Sequence, residues 1–150
     1  NWEKKYQNPK ILTPHVGEMS KISKINKKKI QTDKKRFAIE YAKKWNINIV
    51  LKGPRTVIAG PNKLLQVSSF INSAMAKGGT GDMLTGLISG LIASDKLHML
   101  SKNNFFNKSC LGVYIQGFAA NIAKEELGET AVKSSDIIER LGLFHKKYFQ

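Results

Sequence analysis

A chain of 150 residues, 41% of them apolar and 24% charged, is long enough for one domain with a hydrophobic core and too short for two ordinary domains. It has no apolar run of the ~18–20 residues that cross a bilayer, and its first residues lack the apolar core of a secretory signal. The net charge of +14 indicates either a polyanionic partner or a lysine-rich solvated surface.

The first predicted elements are a strand and a short helix. Residues 10–13 are mostly apolar and end at Pro14, which is typical of a buried strand that runs into a turn. A loop over residues 14–18 then leads into a short helix at residues 19–22. The lysine-rich stretch behind that helix is predicted to be a surface connection.

Basic residues dominate residues 21–44, where nine lysines and Arg36 stand against two acids. Arginine is scarce, aromatic residues do not alternate with the basic ones, and no nucleic-acid motif is present. We therefore interpret the charge as a solvated surface and do not expect a nucleic-acid partner. Within this stretch a helix begins at Thr32 or Asp33 and ends at Asn46. Its apolar face consists of Phe37, Ala38, Tyr41, Ala42 and Trp45.

Three strands of a sheet, with a hairpin turn between the last two, are predicted next. Residues 47–51 are mostly apolar and β-branched, as in a strand that is covered on both faces. Residues 56–59 form a second strand, residues 60–63 have turn chemistry, and residues 64–67 form the returning strand of a hairpin. A loop of small and polar residues, 68–81, follows.

Three helices are predicted for the rest of the chain, which gives an α/β fold with helices covering a sheet. In the first, Gly86 and Gly90 lie one turn apart and would let another element approach closely. A mobile connection at residues 102–107 precedes a long helix that stops at Gly128, and residues 134–136 cap the last helix. The apolar face of the first helix is Met83, Leu84, Leu87, Ile88, Leu91 and Ile92. That of the long helix is Leu111, Tyr114, Ile115, Phe118, Ala119, Ile122 and Leu127.

The single cysteine and the histidines carry little chemistry. Cys110 cannot form an internal disulfide, which fits a reducing compartment and predicts a cytoplasmic protein, and it is expected in the core. His98 and His145 have no partner at metal-ligand spacing, so both are predicted on the surface and no metal site is expected. Tyr114 and Phe118 are expected to pack rather than to stack on a base.

The stretch KGGTGD places flexible glycines directly before a helix, with a carboxylate at the junction. Without side chains, residues 78–82 can turn several backbone N–H groups toward one small anion, and the helix adds its free donors and positive dipole end. Phosphate is the anion that such a cup would bind. The alternative is an ordinary turn, since the spacing fits neither a P-loop nor the dinucleotide fingerprint.

A carboxylate beside a phosphate repels it, so Asp82 needs an explanation. It would make sense as a base that takes the proton from a hydroxyl attacking the phosphorus, or as a group that helps to organise a metal ion. The alternative is that it only complements the helix N-terminus, an effect of ~0.3–1 kcal/mol.

The sequence AKGGTGDMLTGLISGL resembles the anion-hole signature of the ribokinase-like superfamily, and further segments narrow the resemblance to the ADP- or ATP-dependent NAD(P)H-hydrate dehydratases. Four segments match in order, and a family-like SSDIIE follows at residues 134–139. The four are ILTPHVGEM (11–19), VLKGPRTVIAGP (50–61), INSAMAKGGTGDMLTG (71–86) and LGVYIQGFAANIA (111–123).

The resemblance implies a ribokinase-like fold of which residues 1–150 form the C-terminal part. The chain would be a fragment of a longer polypeptide, one of two separately encoded halves, or a decayed remnant. An NAD(P)H-hydrate epimerase domain and a homo-oligomer stay open. The implied reaction restores hydrated NADH or NADPH: the C6 hydroxyl is phosphorylated by ADP or ATP with Mg²⁺ as counter-ion, and phosphate is then eliminated.

The resemblance also implies roles for individual residues. Asp82 would contact the hydroxyl of the hydrate and act as base, His15 would bind the dinucleotide substrate, and Asn72 would shape the substrate pocket. The adenosine nucleotide is expected at Lys52, Gly53, Pro54, Arg55 and Thr56 and at the glycine loop, Gly78, Gly79, Thr80 and Gly81. Equally, His15 could only stabilise its turn, and Lys52 could be a surface lysine.

The sequence departs from the family at two places. Val16 stands where the family usually has proline, and Ser73 and Ala74 replace a proline–glycine pair, which could shift the substrate loop. Two other functions stay open: a ribokinase-like kinase of a hydroxymethylpyrimidine or a sugar, and a non-catalytic basic protein that binds nucleotides or RNA.

Overall fold

The computed structural model describes residues 8–94 and 102–149, so the predicted surface position of His98 lies outside the described residues. The strands are β1 (Ile11–Leu12), β2 (Asn48–Leu51), β3 (Val57–Ala59) and β4 (Leu65–Val67). The helices are α1 (Val16–Ser23), α2 (Lys27–Thr32), α3 (Lys34–Trp45), α4 (Thr80–Ala93), α5 (Lys102–Leu127) and α6 (Ser134–Phe149), and a short 3₁₀ helix, Ser73–Ala76, precedes α4. Within the described ranges, no helix is long and apolar enough to cross a membrane.

The strands form one mixed sheet in the order β1-β2-β3-β4. β1 and β2 are parallel, and α1, α2 and α3 make the crossover that parallel pairing requires. β2–β3 and β3–β4 are antiparallel, which confirms the predicted hairpin. The carboxyl ends of β1 and β2 therefore meet at one edge of the sheet.

Helices cover both faces of the sheet, as the apolar composition of β2 predicts. Side chains alternate along a strand: Ile49 and Leu51 join the core beneath α1–α3, whereas Val50 joins the core built with α4 and α5. All four residues of β2 are buried. A third core cluster, rich in alanine, lies between the 3₁₀ helix, α5 and α6.

The predicted bounds of α3 are confirmed by its caps. The Asp33 carboxylate accepts the N–H of Arg36 at 3.1 Å, and Asn46 ends the helix in the left-handed conformation. Gly128, with φ +79°, likewise follows the last residue of α5.

Two segments that were predicted to be connections are helical, because each contains a buried apolar residue. The lysine-rich stretch after α1 includes α2, whose Ile30 is fully buried while its lysines stay exposed. Residues 102–107 are the first turns of α5 rather than a mobile connection, and Phe106 there packs into the core with α4. Two residues expected on the buried face of α5 are also exposed, Tyr114 by 43% and Leu127 by 42%.

The close contact between α4 and α5 is made at Gly112 rather than at the predicted Gly86 and Gly90. A Cβ on Gly86 or Gly90 would meet no described atom within 4 Å, so the prediction of a close approach at those positions is wrong. The close approach is at Gly112 of α5, where a Cβ would come within 2.6 Å of Cγ1 of Ile88 on α4.

We expect Gly112→Ala to lower the free energy of unfolding by about 1–3 kcal/mol, because the methyl group overpacks the α4–α5 contact. The matched variant Gly86→Ala should raise it by about 0.5–1 kcal/mol through helix propensity. Urea unfolding of both variants measures this. Equal effects of the same sign would contradict the assignment of the contact to Gly112.

Candidate functional site

The predicted site residues lie just beyond the carboxyl ends of β1 and β2. His15 and Lys52 pair there as an isolated parallel bridge, and the N–H of Lys52 donates to the carbonyl of Pro14 at 2.8 Å. The two segments that the sequence singled out, TPHVGE and KGPRT, therefore leave the sheet side by side. In α/β sheets, ligands bind in the crevice at this end of the strands.

Helix α4 brings the glycine loop to the same place. The Lys52 ammonium lies 3.0 Å from the point where a Cβ on Gly81 would stand, so a side chain at position 81 would require the end of the Lys52 side chain to shift. One turn further along α4, Thr85 shares a 3.1 Å hydrogen bond between hydroxyl groups with Thr13, which follows β1. These contacts join all three predicted segments at the N-terminus of α4.

Contacts with neighbouring residues hold the glycine loop in its conformation. Gly79 is the N-cap of α4 at φ +84°, and a Cβ there would lie 3.0 Å from the Ser134 hydroxyl. The Thr80 hydroxyl donates to the carbonyl of Met75 at 2.7 Å. The backbone carbonyl of Thr80 accepts a hydrogen bond from the side-chain amide of the buried Gln116 at 2.8 Å. A Cβ on Gly78 would meet no described atom within 4 Å, so the loop is open on that side.

The helix begins earlier than the sequence predicts, and this decides which N–H groups are free. Thr80, Gly81 and Asp82 are the first three residues of α4, not the loop before it. N–H groups in the first turn of a helix have no acceptor within the helix. The donors at residues 81 and 82 therefore lie in the turn of α4 that adjoins Lys52.

Asp82 is exposed, and its carboxylate makes no hydrogen bond or ion pair with any residue in the described ranges. Asp136 occupies the same position in α6, but its carboxylate accepts the N–H of Lys133 at 2.7 Å and so caps that helix. The Asp82 carboxylate makes no such capping bond and is left for a ligand or for water.

His15 does stabilise its turn. The imidazole Nδ1 of His15 accepts the backbone N–H of Glu18 at 3.1 Å. The backbone N–H of His15 donates to the Glu18 carboxylate at 2.7 Å. This capping box starts α1. The imidazole remains 60% exposed at the crevice, and its contact with the dinucleotide stays a prediction.

Glu18 links this turn to Lys52, whose ammonium is 3.8 Å from its carboxylate. The backbone N–H of His15 lowers the pKa of Glu18 most. Burial opposes this effect, and the positive charge of Lys52 lowers the pKa further by a smaller amount. Glu18 is thus ionised and partly balances a cation that points at the positive end of a helix.

The KGPRT segment is held by a lysine from α3. The Lys34 ammonium donates to the carbonyls of Pro54 and Arg55, and burial lowers its pKa. Gly53 has φ +137° and Arg55 has φ +53°, so the segment makes a tight turn with its backbone near the crevice. The Thr56 hydroxyl closes this turn by donating to the carbonyl of Gly53 at 3.0 Å.

Asn72 is buried, and its amide shapes the loop before the glycines. Its oxygen accepts the N–H of Ala74 and its nitrogen donates to the Asn121 side chain, both at 2.9 Å. The substrate contact expected of Asn72 stays a prediction.

A cavity of about 490 Å³ adjoins the KGPRT segment. The carbonyl of Thr56 accepts the N–H of Ser68 at 2.9 Å, and the carbonyl of Phe70 accepts the N–H of Arg55 at 3.4 Å, so residues 68–70 connect the segment to the cavity wall. Its remaining lining comes from Ile58, Gln66, Val67, Cys110, Leu111, Val113 and Tyr114. Burial raises the pKa of the Cys110 thiol to about 11, so the thiol is a wall group, not a nucleophile.

Comparison with known proteins identifies the family of the chain. Residues 2–142 match the model of a family described as NAD(P)H-hydrate dehydratase. The chain belongs to this family.

Among relatives of this dehydratase-family chain, the ADP-dependent (S)-NAD(P)H-hydrate dehydratase of Bacillus subtilis is 36% identical over 91% of the chain and 48% of the relative. The bifunctional NAD(P)H-hydrate repair enzyme Nnr of Moorella thermoacetica is 35% identical over 89% of the chain and 24% of the relative. A crystal structure of the B. subtilis ADP/ATP-dependent enzyme, co-crystallised with ATP and Mg²⁺, has a TM-score of 0.83, 31% identity, and covers 93% of this chain and 48% of that one.

These matches confirm the ribokinase-like α/β fold and do not favour the sugar-kinase or RNA-binding alternatives. The chain spans about half the length of the B. subtilis relative and about a quarter of the bifunctional one.

Sequence reasoning missed three supporting residues of the dehydratase-family site. Glu18 stood within the matched ILTPHVGEM segment without a role, although a carboxylate three residues after His15 is a capping-box signal. Gln116 is a polar residue among the apolar positions of α5, which was a usable sign of a buried hydrogen bond. Nothing distinguished Lys34 from the lysines around it.

We expect Glu18→Gln to lower the stability of the dehydratase-family chain at neutral pH but not in acid. The pKa of Glu18 is below its ordinary value of 4.5 in the folded chain, so its contribution is present above that value and is lost as the pH falls through the folded pKa. The gap in thermal midpoint between wild type and variant should therefore be present above a pH of 4.5 and should close as the pH falls below it. Glu40→Gln, an exposed acid on α3, is the control. A gap that is independent of pH would contradict the ion pair.

Proposed function

We propose that the protein containing this chain restores NAD(P)H from its hydrate in a reaction that consumes ADP or ATP. One observation carries the proposal: beyond the ends of β1 and β2, the Lys52 ammonium lies beside Gly81 in the first turn of α4. The next residue is Asp82, whose carboxylate has no partner among the described residues. The name of the B. subtilis relative and its co-crystallisation with ATP and Mg²⁺ support the choice of reactants.

We further propose that residues 1–150 are the C-terminal portion of a single ribokinase-like domain. The support is that the chain matches about half of relatives that carry the dehydratase activity alone. The bifunctional relative supports a second activity in the complete protein, which we propose is an NAD(P)H-hydrate epimerase, while a homo-oligomer stays open. A single cysteine fits a cytoplasmic location.

The phosphates of the nucleotide would bind at the N-terminus of α4. The N–H groups of Gly81 and Asp82 supply donors, the helix dipole supplies a positive potential, and Lys52 supplies a full charge. Lys52 and the dipole end repel each other, and a bound phosphate would relieve this repulsion. Gly78 leaves open space for it, as the absence of atoms near its Cβ position indicates.

The purine would enter the adjoining cavity. Thr56 and Arg55 are hydrogen-bonded to the cavity wall, so a nucleotide whose phosphates reach Lys52 has a continuous surface to follow. Phe70 and Tyr114 offer aromatic rings in this wall, and Ser68, Ser69 and Gln66 offer hydrogen bonds to ring nitrogens.

The chemistry requires a base beside the phosphorus. The C6 hydroxyl oxygen of the hydrate attacks the terminal phosphoryl group, its proton passes to the Asp82 carboxylate, and AMP or ADP leaves. The phosphate then departs with the electrons of the C6–O bond while a neighbouring carbon loses a proton, which restores the ring double bond. Phosphorylation is useful because phosphate is a better leaving group than hydroxide.

Mg²⁺ would neutralise charge on the phosphates when it is bound. The described residues contain no group of three or more His, Cys, Asp or Glu side chains that could hold a metal ion. This donor set fits an ion that arrives with the nucleotide, since Mg²⁺ in such sites is held by phosphates, water and one or two carboxylates. Asp82 would supply one such carboxylate.

We expect Asp82→Asn to keep nucleotide binding within about threefold and to reduce turnover at least about 100-fold, since general bases contribute on that scale. The assay adds ADP or ATP and NADH hydrate to the complete protein and follows the return of reduced-nicotinamide absorbance. Asp136→Asn, which alters the matching position of α6, is the control and should keep turnover.

Full activity of Asp82→Asn would contradict the assignment of Asp82 as the general base. Phosphorylation of an added alcohol without any recovery of NADH would instead favour a small-molecule kinase.

We expect Lys52→Gln to weaken nucleotide binding about tenfold or more, because a charged contact to phosphate contributes about 1.5–3 kcal/mol. Lys63→Gln in the exposed hairpin turn should leave binding unchanged. Isothermal calorimetry on the complete protein measures both, and equal affinities for the two variants would show that Lys52 is only a surface lysine.

A further inference from the structure

The last helix continues beyond the segment that defines the family. The family match ends at residue 142, whereas α6 runs to Phe149. The additional turns include the aromatic residues Phe144 and Tyr148, with Lys147 between them. Family membership assigns these residues no function, so their role must be derived from their contacts.

These turns pack against Tyr114 on α5. The Tyr148 hydroxyl lies 3.2 Å from the Tyr114 hydroxyl, and the ring centres of Phe144 and Tyr148 lie 5.9 and 6.5 Å from that of Tyr114. The Lys147 ammonium lies 5.2 Å from the ring centre of Phe118 and 5.6 Å from that of Tyr148, which adds a cation–π contact on the outer side.

Tyr114 in turn forms part of the cavity wall. Its ring meets that of Phe70 edge to face at 5.4 Å, and both side chains line the cavity. Phe70 is pinned on its other side by Gly117, where any Cβ would collide with its ring. Tyr114 has no such wall and is 43% exposed, so its orientation depends on the contacts from α6.

We propose that Tyr148 is a positioning residue that holds the Tyr114 ring in the cavity wall and so sets the affinity for a flat heteroaromatic ring. This rests on the proposed function, which supplies the purine of the nucleotide as that ring. The hydroxyl pair fixes the rotation of Tyr114, and the ring of Tyr148 covers the side that would otherwise face water. The hydrogen bond with Tyr148 also raises the pKa of Tyr114.

The test compares the Kd of ADP with that of inorganic pyrophosphate, both with Mg²⁺, on the complete protein. Tyr148→Phe, which removes one hydroxyl, should weaken ADP binding about threefold, and Tyr148→Ala about tenfold. Pyrophosphate binding should be unchanged in both, since it uses only the α4 site. Tyr41→Phe is the matched control, because it removes a hydroxyl that donates to the carbonyl of Ser23 on the other side of the sheet.

Unchanged ADP affinity in both Tyr148 variants would overturn the proposal, as would an equal loss for ADP and pyrophosphate, which would mean a general structural effect. If Tyr148→Ala does not fold, Tyr148→Phe decides alone. Failure of the proposed function has a different signature: the wild-type protein would then bind ADP no more tightly than pyrophosphate.

Discussion

The site depends on one unfavourable contact, a lysine ammonium held against the positive end of a helix. The Lys52 ammonium lies 3.0 Å from the point where a Cβ on Gly81 would stand, in the first turn of α4, and both groups carry positive potential. Glu18 compensates in part from 3.8 Å. In the proposed function, a bound phosphate supplies the rest of the compensation. Asp82 is exposed and follows Gly81 in the same turn of α4, and the proposal assigns it to the reacting hydroxyl.

The fold makes this contact by fixing each partner independently. The parallel pairing of β1 and β2 sets Lys52 beside His15, and the core under α1–α3 holds both strands. The opposite face of the sheet packs against α4 and α5, and Gly112 lets these two helices approach closely. Gln116 then ties α5 to the first residue of α4. Because the two sides of the sheet are anchored separately, the backbone at Lys52 and the first turn of α4 are each held in place, and only the side chain of Lys52 is free to adjust the distance between the two charges.

Much of this architecture could be predicted from the sequence, because local signals agree with the final fold. The continuous apolar run of β2, the capping residues Asp33 and Asn46, and the stop at Gly128 each fix one boundary. The predictions failed where a single apolar residue decided the outcome: Ile30 turns a lysine-rich stretch into a helix, and Phe106 does the same at the start of α5.

The site was predicted as a set of segments but not as a geometry. Motif resemblance indicated Lys52, the glycine loop and Asp82, yet only tertiary structure shows that Lys52 and Gly81 are neighbours. Glycine was likewise expected to serve helix packing at Gly86 and Gly90, and packing uses Gly112 instead, since pattern alone does not reveal which face meets a neighbour. The cavity beyond Thr56, and its link through Tyr114 to the end of α6, depend on contacts between residues far apart in the chain.

The central claim is that an anion completes the pairing of Lys52 with the first turn of α4. A crystal structure of the complete protein with ADP and Mg²⁺ tests it most directly. The account predicts a phosphoryl oxygen about 3 Å from both the Gly81 nitrogen and the Lys52 ammonium, with the Asp82 carboxylate facing the substrate side of the phosphorus. A nucleotide bound elsewhere, with Lys52 turned to Glu18 alone and water at the start of α4, would contradict it.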